Sequence, residues 1–126
     1  MPSEPLGLLL LSGDHERAHY AFVLAAGAAA LGRTVVLFAT NAGCHALAQD
    51  WSGLRDAGRD DLARSRGVAG LDELRAAASD LGVRMIACEA GLRMAGLDPA
   101  ALLPEATVAG VATFLAEVGA GQIVSF

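Results

Sequence analysis

The stretch TVVLFAT, residues 34–40, decides the fold. Its apolar and β-branched residues follow one another without polar alternation, which is typical of a strand buried on both faces of a parallel sheet. Before it, residues 15–31 are rich in alanine and predict a helix that ends at Gly32. Residues 6–12 form another short apolar run. The three segments predict a strand, a helix and a second strand joined by a right-handed crossover.

The segments that follow continue this alternation of helix and strand. They predict a short helix near 43–49, a helix over 68–81 that ends at Gly82, a strand over 83–87, a short helix over 88–95, a short strand over 107–109, a helix over 111–118 and a closing strand over 122–126. This order predicts an α/β fold in which one three-layer domain, residues 1–126, has a parallel sheet with helices on both faces.

Residues 50–66 (DWSGLRDAGRDDLARSR) interrupt the apolar pattern with four Asp and four Arg. We expect this segment to be a surface loop with some helix in it. A loop of this length beside a compact core is either a lid over a site or disordered.

Composition excludes two classes of partner. The chain carries a net charge of -5, and its nine basic residues are all arginines that are scattered along it, so we expect no nucleic-acid binding. A basic amphipathic segment that would favour a membrane surface is also missing from the sequence. The hydrophobic fraction of 54% is high for a lone domain and predicts both a doubly buried sheet and a homo-oligomer.

The amino terminus indicates the compartment. Residues 1–5 lack the cationic start of a signal peptide, and the longest apolar tract, residues 18–31, is shorter than a membrane span. We therefore expect a cytoplasmic protein in which Cys44 and Cys88 are reduced thiols.

Cys88 is the strongest candidate for chemistry, because it stands where a buried strand gives way to a predicted helix. The amino end of a helix favours the thiolate over the thiol, and a thiolate can attack sulfur or carry a persulfide. The alternative is that Cys88 is a small core residue, as most free cysteines are. Cys44 follows the second strand and could act as a resolving thiol, or it could be a half-buried loop residue.

Four further residues are auxiliary candidates. His15 and His45 lie at the same predicted sheet edge and could shuttle a proton. Arg93 completes a CEAGLR spacing that equals the six-residue loop of rhodanese-type sulfurtransferases, although a helix there would direct Arg93 away from the thiol. Glu89 would raise the pKa of the Cys88 thiol if the two side chains were close.

Metal and nucleotide signatures are weak in this sequence. It contains no Cys-x-x-Cys pair, and no glycine-rich phosphate loop follows the first strand, so we expect neither a metal nor a cofactor.

The sequence resembles the DsrE/DsrF-like family of small sulfur-relay proteins. The segments IACEAGLRMAGLD (86–98) and LLPEATVAGVATFLAEVGAGQIVSF (102–126) resemble the closing half of that family, with an Ala-Cys pair that ends a strand. The segment SGDHERAHYAFVLAAGAAALGRTVVLFATNAG (12–43) is similar to the family's first crossover. Glu89 and Gly91 depart from the pattern, since small or apolar residues are common at their positions.

The resemblance implies a mostly parallel sheet of five strands, a persulfide-carrying cysteine at Cys88, and oligomers that are often trimers or hexamers. The leading hypothesis is therefore a sulfur carrier or sulfurtransferase, in which Cys88 accepts sulfur from a donor and hands it to a partner thiol, with the backbone N–H groups of residues 89–90 stabilising the anion. One alternative is a non-catalytic module that binds a small ligand. The other is an oligomeric subunit that scaffolds a partner.

Overall fold

The computed structural model describes residues 4–126 and contains a sheet of five parallel strands. The strands are β1 (Leu6–Leu10), β2 (Val35–Ala39), β3 (Arg84–Cys88), β4 (Thr107–Ala109) and β5 (Ile123–Ser125). Their order across the sheet is β4-β3-β2-β1-β5, and every neighbouring pair is parallel. The predicted α/β fold with a five-stranded sheet is confirmed.

Helices connect consecutive strands. They are α1 (His15–Ala30), α2 (Arg59–Ser65), α3 (Leu71–Asp80), α4 (Glu89–Ala95) and α5 (Val111–Val118), with 3₁₀ helices at Asn41–Leu47, Trp51–Gly53 and Pro99–Ala101. The short helix expected near 43–49 is a 3₁₀ helix over Asn41–Leu47. One expectation needs correction, because the helix expected from residue 68 begins at Leu71.

The ends of α1 and α3 were predicted from their glycines. Gly32 and Gly82 have φ of 86° and 82°, the left-handed conformation that glycine adopts without steric cost. At α1 the N–H of Arg33 donates to the carbonyl of Ala28, which closes a Schellman motif. The predicted helix ends are therefore confirmed. In each case the next strand begins two or three residues after the glycine.

The two faces of the sheet are covered unequally. The steps β1→β2→β3→β4 all run in one direction, so right-handed crossovers place α1, α3 and α4 on one face. The last connection runs back past β3, β2 and β1, which leaves α5 on the other face. The smaller core cluster on that face consists of Val36, Phe38, Ile86, Cys88, Phe114 and Val118.

Residues 50–66 contain a 3₁₀ turn and α2. Asp60 within this segment is only 3% exposed, so part of the segment belongs to the interior of the protein. Within residues 4–126, no helix combines the length and apolar character that crossing a bilayer requires.

Candidate functional site

Cys88 ends β3 at the carboxyl edge of the sheet and is the N-cap residue of α4. Its Sγ accepts a hydrogen bond from the backbone N–H of Gly91 at 3.4 Å. The residue as a whole is 8% exposed and counts as buried. The first turn of α4 thus turns one of its free N–H groups toward the sulfur, as an N-cap oxygen would receive it in other helices.

Gly91 allows this arrangement because it has no side chain. A Cβ at residue 91 would lie 2.5 Å from the backbone N of Asn41 and 2.6 Å from Oγ1 of Thr40. The first turn of α4 therefore packs directly on the chain that leaves β2. This contact determines where the Gly91 N–H points. The sequence analysis assigned the anion-stabilising N–H groups to residues 89–90, whereas the one that contacts Sγ belongs to Gly91.

The Cys88 side chain belongs to the thinly covered face of the sheet. It packs in the same cluster as Phe38 and Phe114, whose rings stack with centroids 4.9 Å apart. On the edge strand β4, Ala109 pairs with Cys88, and a Cβ at Gly110 would meet nothing within 4 Å. The residue that pairs with Cys88 on the side of β4 is therefore a small one.

Cys44 is fully buried and belongs to the larger core cluster, on the opposite face of the sheet from the Cys88 side chain. Its Sγ donates to the carbonyl of Ala39 at 3.5 Å. Burial, together with the negative charge that Cys88 would carry nearby, raises the pKa of the Cys44 thiol to about 12. The structure therefore brings the two cysteines near each other, but Cys44 stays protonated and enclosed at neutral pH.

Glu89 and Arg93 pair with each other rather than with the sulfur. Both side chains are exposed on α4, where they form an ion pair of 3.1 Å four residues apart. The six-residue spacing from Cys88 to Arg93 is thus occupied by a helix and does not form an anion-binding loop.

The two histidine candidates make other contacts. His15 is buried, and its Nε2 is 2.8 Å from Oδ1 of Asp60. The ring of His45 packs on Gly53, where a Cβ would lie 2.4 Å from Nδ1. In the part of the chain that the structure describes, neither ring is hydrogen-bonded to a cysteine sulfur.

Sequence reasoning missed Gly91 and Asp60. A glycine in the first turn of a helix, directly after a strand, is a signal for a close backbone approach and could have identified Gly91. Asp60 stands in a run of charged residues and carries no such signal. Among residues 4–126, no three His, Cys, Asp or Glu side chains come together as metal ligands would.

Comparison with known proteins gives consistent results. The model of the DsrE/DsrF/DrsH-like family matches residues 49–126, which is more than half of the chain. YrkE of Bacillus subtilis (strain 168), an uncharacterized protein, is 27% identical, with 92% of each chain covered. Two solved structures share the fold over 98% of this chain and all of their own. They are YchN of E. coli, with a TM-score of 0.75 and 8% identity, and MTH1491 of Methanobacterium thermoautotrophicum, a protein of unknown function, with a TM-score of 0.66 and 18% identity.

Proposed function

The chain belongs to the DsrE/DsrF/DrsH-like family, and from this membership and the geometry of Cys88 we propose that the protein is a sulfur carrier. It holds sulfane sulfur as a persulfide on Cys88 and hands that sulfur to the thiol of a partner protein.

The observation that carries this proposal is the hydrogen bond from the Gly91 N–H to the Cys88 sulfur. Hydrogen bonds to an ionised acceptor are stronger than those to a neutral one, so this N–H would stabilise the negative charge that the sulfur carries when it attacks or leaves. Glu89 and Ala90 contribute further N–H groups of the first turn, which have no acceptor within α4. A thiolate is the nucleophile in every exchange reaction at sulfur.

Loading and transfer are two displacement steps. In the first, the Cys88 thiolate attacks the outer sulfur of thiosulfate, a new S–S bond forms and sulfite leaves with the electron pair of the broken bond. In the second, the thiolate of a partner attacks the outer sulfur of the persulfide. That sulfur moves to the partner, and Cys88 leaves as a thiolate ready for another cycle.

Exposure favours Cys88 over Cys44 as the carrier. Cys88 is 8% exposed, whereas Cys44 is 0% exposed. Ala109 on β4, which pairs with Cys88, is a small residue. Met94 on α4 is 76% exposed and offers an apolar contact for a partner.

The test is the intact mass of the protein after incubation with thiosulfate or polysulfide. We expect a gain of one sulfur atom that dithiothreitol removes. Cys88→Ser abolishes the gain, whereas Cys44→Ala retains it, because the Cys44 thiol, with a pKa of about 12, is not a nucleophile at neutral pH.

Two results would contradict the carrier role. One is the absence of any sulfur gain in the wild-type protein under conditions that load a low-molecular-weight thiol. The other is a gain that persists in Cys88→Ser and disappears in Cys44→Ala. The first result leaves the non-catalytic roles, a small-ligand module or an oligomeric scaffold, as the better account of this chain, and the second would move the sulfur carrier to Cys44.

A further inference from the structure

A cleft of about 270 Å³ lies between the amino end of α1 and α2, and sulfur transfer at Cys88 does not use it. Arg59, Arg66, His15, His19, Leu62 and Val68 are among the residues that line it. The cleft lies on the face of the sheet that α1 covers, whereas the Cys88 side chain packs on the α5 face. One of its walls comes from the polar segment 50–66, whose role the carrier function leaves unexplained.

One wall contains a buried histidine with an unused nitrogen. Oδ1 of Asp60 accepts hydrogen bonds from His15 Nε2 and from the backbone N–H of Leu71, each at 2.8 Å. Burial alone would raise the pKa of Asp60, but these two hydrogen bonds hold it below its ordinary value. Asp60 is therefore a carboxylate, and Nε2 of His15 is the donor.

The other ring nitrogen of His15 then carries the lone pair whenever the imidazole is neutral. This atom, Nδ1, is buried and has no hydrogen-bond partner among residues 4–126. Buried polar atoms are nearly always satisfied, and because His15 lines the cleft, a donor group that enters the cleft is one way to satisfy Nδ1.

The cleft is locally cationic on a chain of net charge -5. Arg59 forms an ion pair with Glu16 at 2.9 Å, whereas Arg66 has no carboxylate partner in the described part of the chain. The positive end of the 16-residue helix α1 lies at the same place. Leu62 and Val68 add apolar surface between these charges.

We propose that this cleft binds a small organic carboxylate that also carries a hydroxyl group. The carboxylate pairs with Arg66, the hydroxyl donates to Nδ1 of His15, and the apolar body packs on Leu62 and Val68. The cleft is smaller than the roughly 300–1,000 Å³ of typical drug-sized sites, which limits the ligand to about ten non-hydrogen atoms and to millimolar affinity.

Three probes of one shape separate these contributions in an NMR titration of the full chain. Mandelate carries a carboxylate and a hydroxyl, phenylacetate lacks the hydroxyl, and mandelamide lacks the charge. We expect saturable shifts at the amides of residues 15–20 and 59–68, with mandelate bound most tightly and mandelamide most weakly. Cys88→Ser leaves this binding unchanged, so the result is independent of the carrier function.

Two matched arginine variants test whether Arg66 binds the carboxylate. Neither variant changes the buried His15–Asp60 pair. Arg66→Gln weakens mandelate binding about tenfold, because a hydrogen bond to a charged group is lost. Arg17→Gln, which removes an exposed arginine of α1 outside the cleft, has no effect. The proposal is overturned if no probe gives saturable shifts, if mandelamide binds as tightly as mandelate, or if Arg17→Gln and Arg66→Gln weaken binding equally.

Discussion

At the scale of single residues, Gly91 determines how closely α4 approaches the end of β2. A Cβ at residue 91 would meet the backbone N of Asn41 and the Cα of Thr40, so rotation of the Thr40 side chain alone cannot relieve the clash. Gly27 offers the opposite case, since it lies inside α1 with open space where its Cβ would be. The same substitution at these two helical glycines therefore has opposite consequences.

We expect Gly91→Ala to lower the free energy of unfolding by about 1–3 kcal/mol, because the new methyl group overlaps Asn41 and Thr40. It should also slow persulfide loading, since α4 must move away from Sγ together with its N–H. Gly27→Ala should instead raise stability by about 0.5–1 kcal/mol through helix propensity. Urea denaturation measures the first effect, and the rate of mass gain measures the second. A Gly91→Ala protein as stable and as reactive as the wild type would show that the contact is unimportant.

The two cysteines show how far sequence reasoning reaches at this scale. The position of Cys88 follows from a buried strand that ends in a helix start, and both elements are visible in the sequence. The burial of Cys44 depends on how the 3₁₀ helix Asn41–Leu47 packs against α4, and no local pattern reports that packing. The helix that the sequence predicted over residues 88–95 is present, and on it Arg93 pairs with Glu89 rather than with the sulfur.

At the scale of elements, Arg75 attaches the segment after the 3₁₀ helix to α3. Its guanidinium is 6% exposed and donates to the backbone carbonyls of Ala46, Ala48 and Gln49. Burial lowers the pKa of Arg75, but the acceptors around it compensate the buried charge. Arg75 therefore fixes the chain that follows Cys44 from the side of α3, and hydrogen bonds to residues 101–103 fix it from the other side.

We expect Arg75→Met to reduce the free energy of unfolding by about 2–4 kcal/mol, because it leaves buried carbonyls without a donor. Arg84→Met is the matched control. It removes an arginine that makes two hydrogen bonds to Glu117 at the surface, and exposed pairs of this kind contribute about 1 kcal/mol or less. Thermal or urea denaturation of both variants measures the difference. Equal losses would mean that Arg75 is no more than another surface ion pair.

The elements themselves were largely predictable. Residues 107–109 and 111–118 have the predicted bounds, since glycine and a change of hydrophobic period mark them clearly. Helix α2 was not predicted as a separate element, because its charged sequence lacks an apolar stripe. It is held in place by Asp60, which reaches His15 across 45 residues. An interaction between residues so far apart in the sequence produces no local sequence pattern that could predict it.

At the scale of the whole molecule, the uneven covering of the sheet has a consequence for α5. Phe114 and Val118 fill the smaller core cluster, yet Val111 and Leu115 on the same helix are also apolar and more than half exposed. These exposed apolar residues lie outside the side of α5 that packs on the sheet, and exposed apolar patches often mark interaction surfaces. The exposed side of α5 therefore indicates that this layer is incomplete in a single chain.

We propose that a second copy of the chain covers the outer side of α5. Like many homo-oligomer surfaces, this side is apolar and lacks basic residues, as does the whole of α5. Ile123 on the neighbouring edge strand is 40% exposed and extends the same apolar surface. The driving force is the burial of apolar area, which stabilises the assembly by about 25 cal/mol for each Å². The high hydrophobic content of the chain fits such an assembly.

We expect the wild-type protein to sediment as an oligomer, and Leu115→Arg to shift it towards the monomer, because a guanidinium buried without a partner opposes association. Leu81→Arg is the matched control, since Leu81 is 46% exposed against 51% for Leu115 and caps the end of α3. A cation is compatible with both positions near a helix carboxyl end, so both variants should remain folded. Sedimentation velocity at several concentrations measures the result. A wild-type monomer at all of them, or dissociation by Leu81→Arg alone, would exclude α5 as the interface.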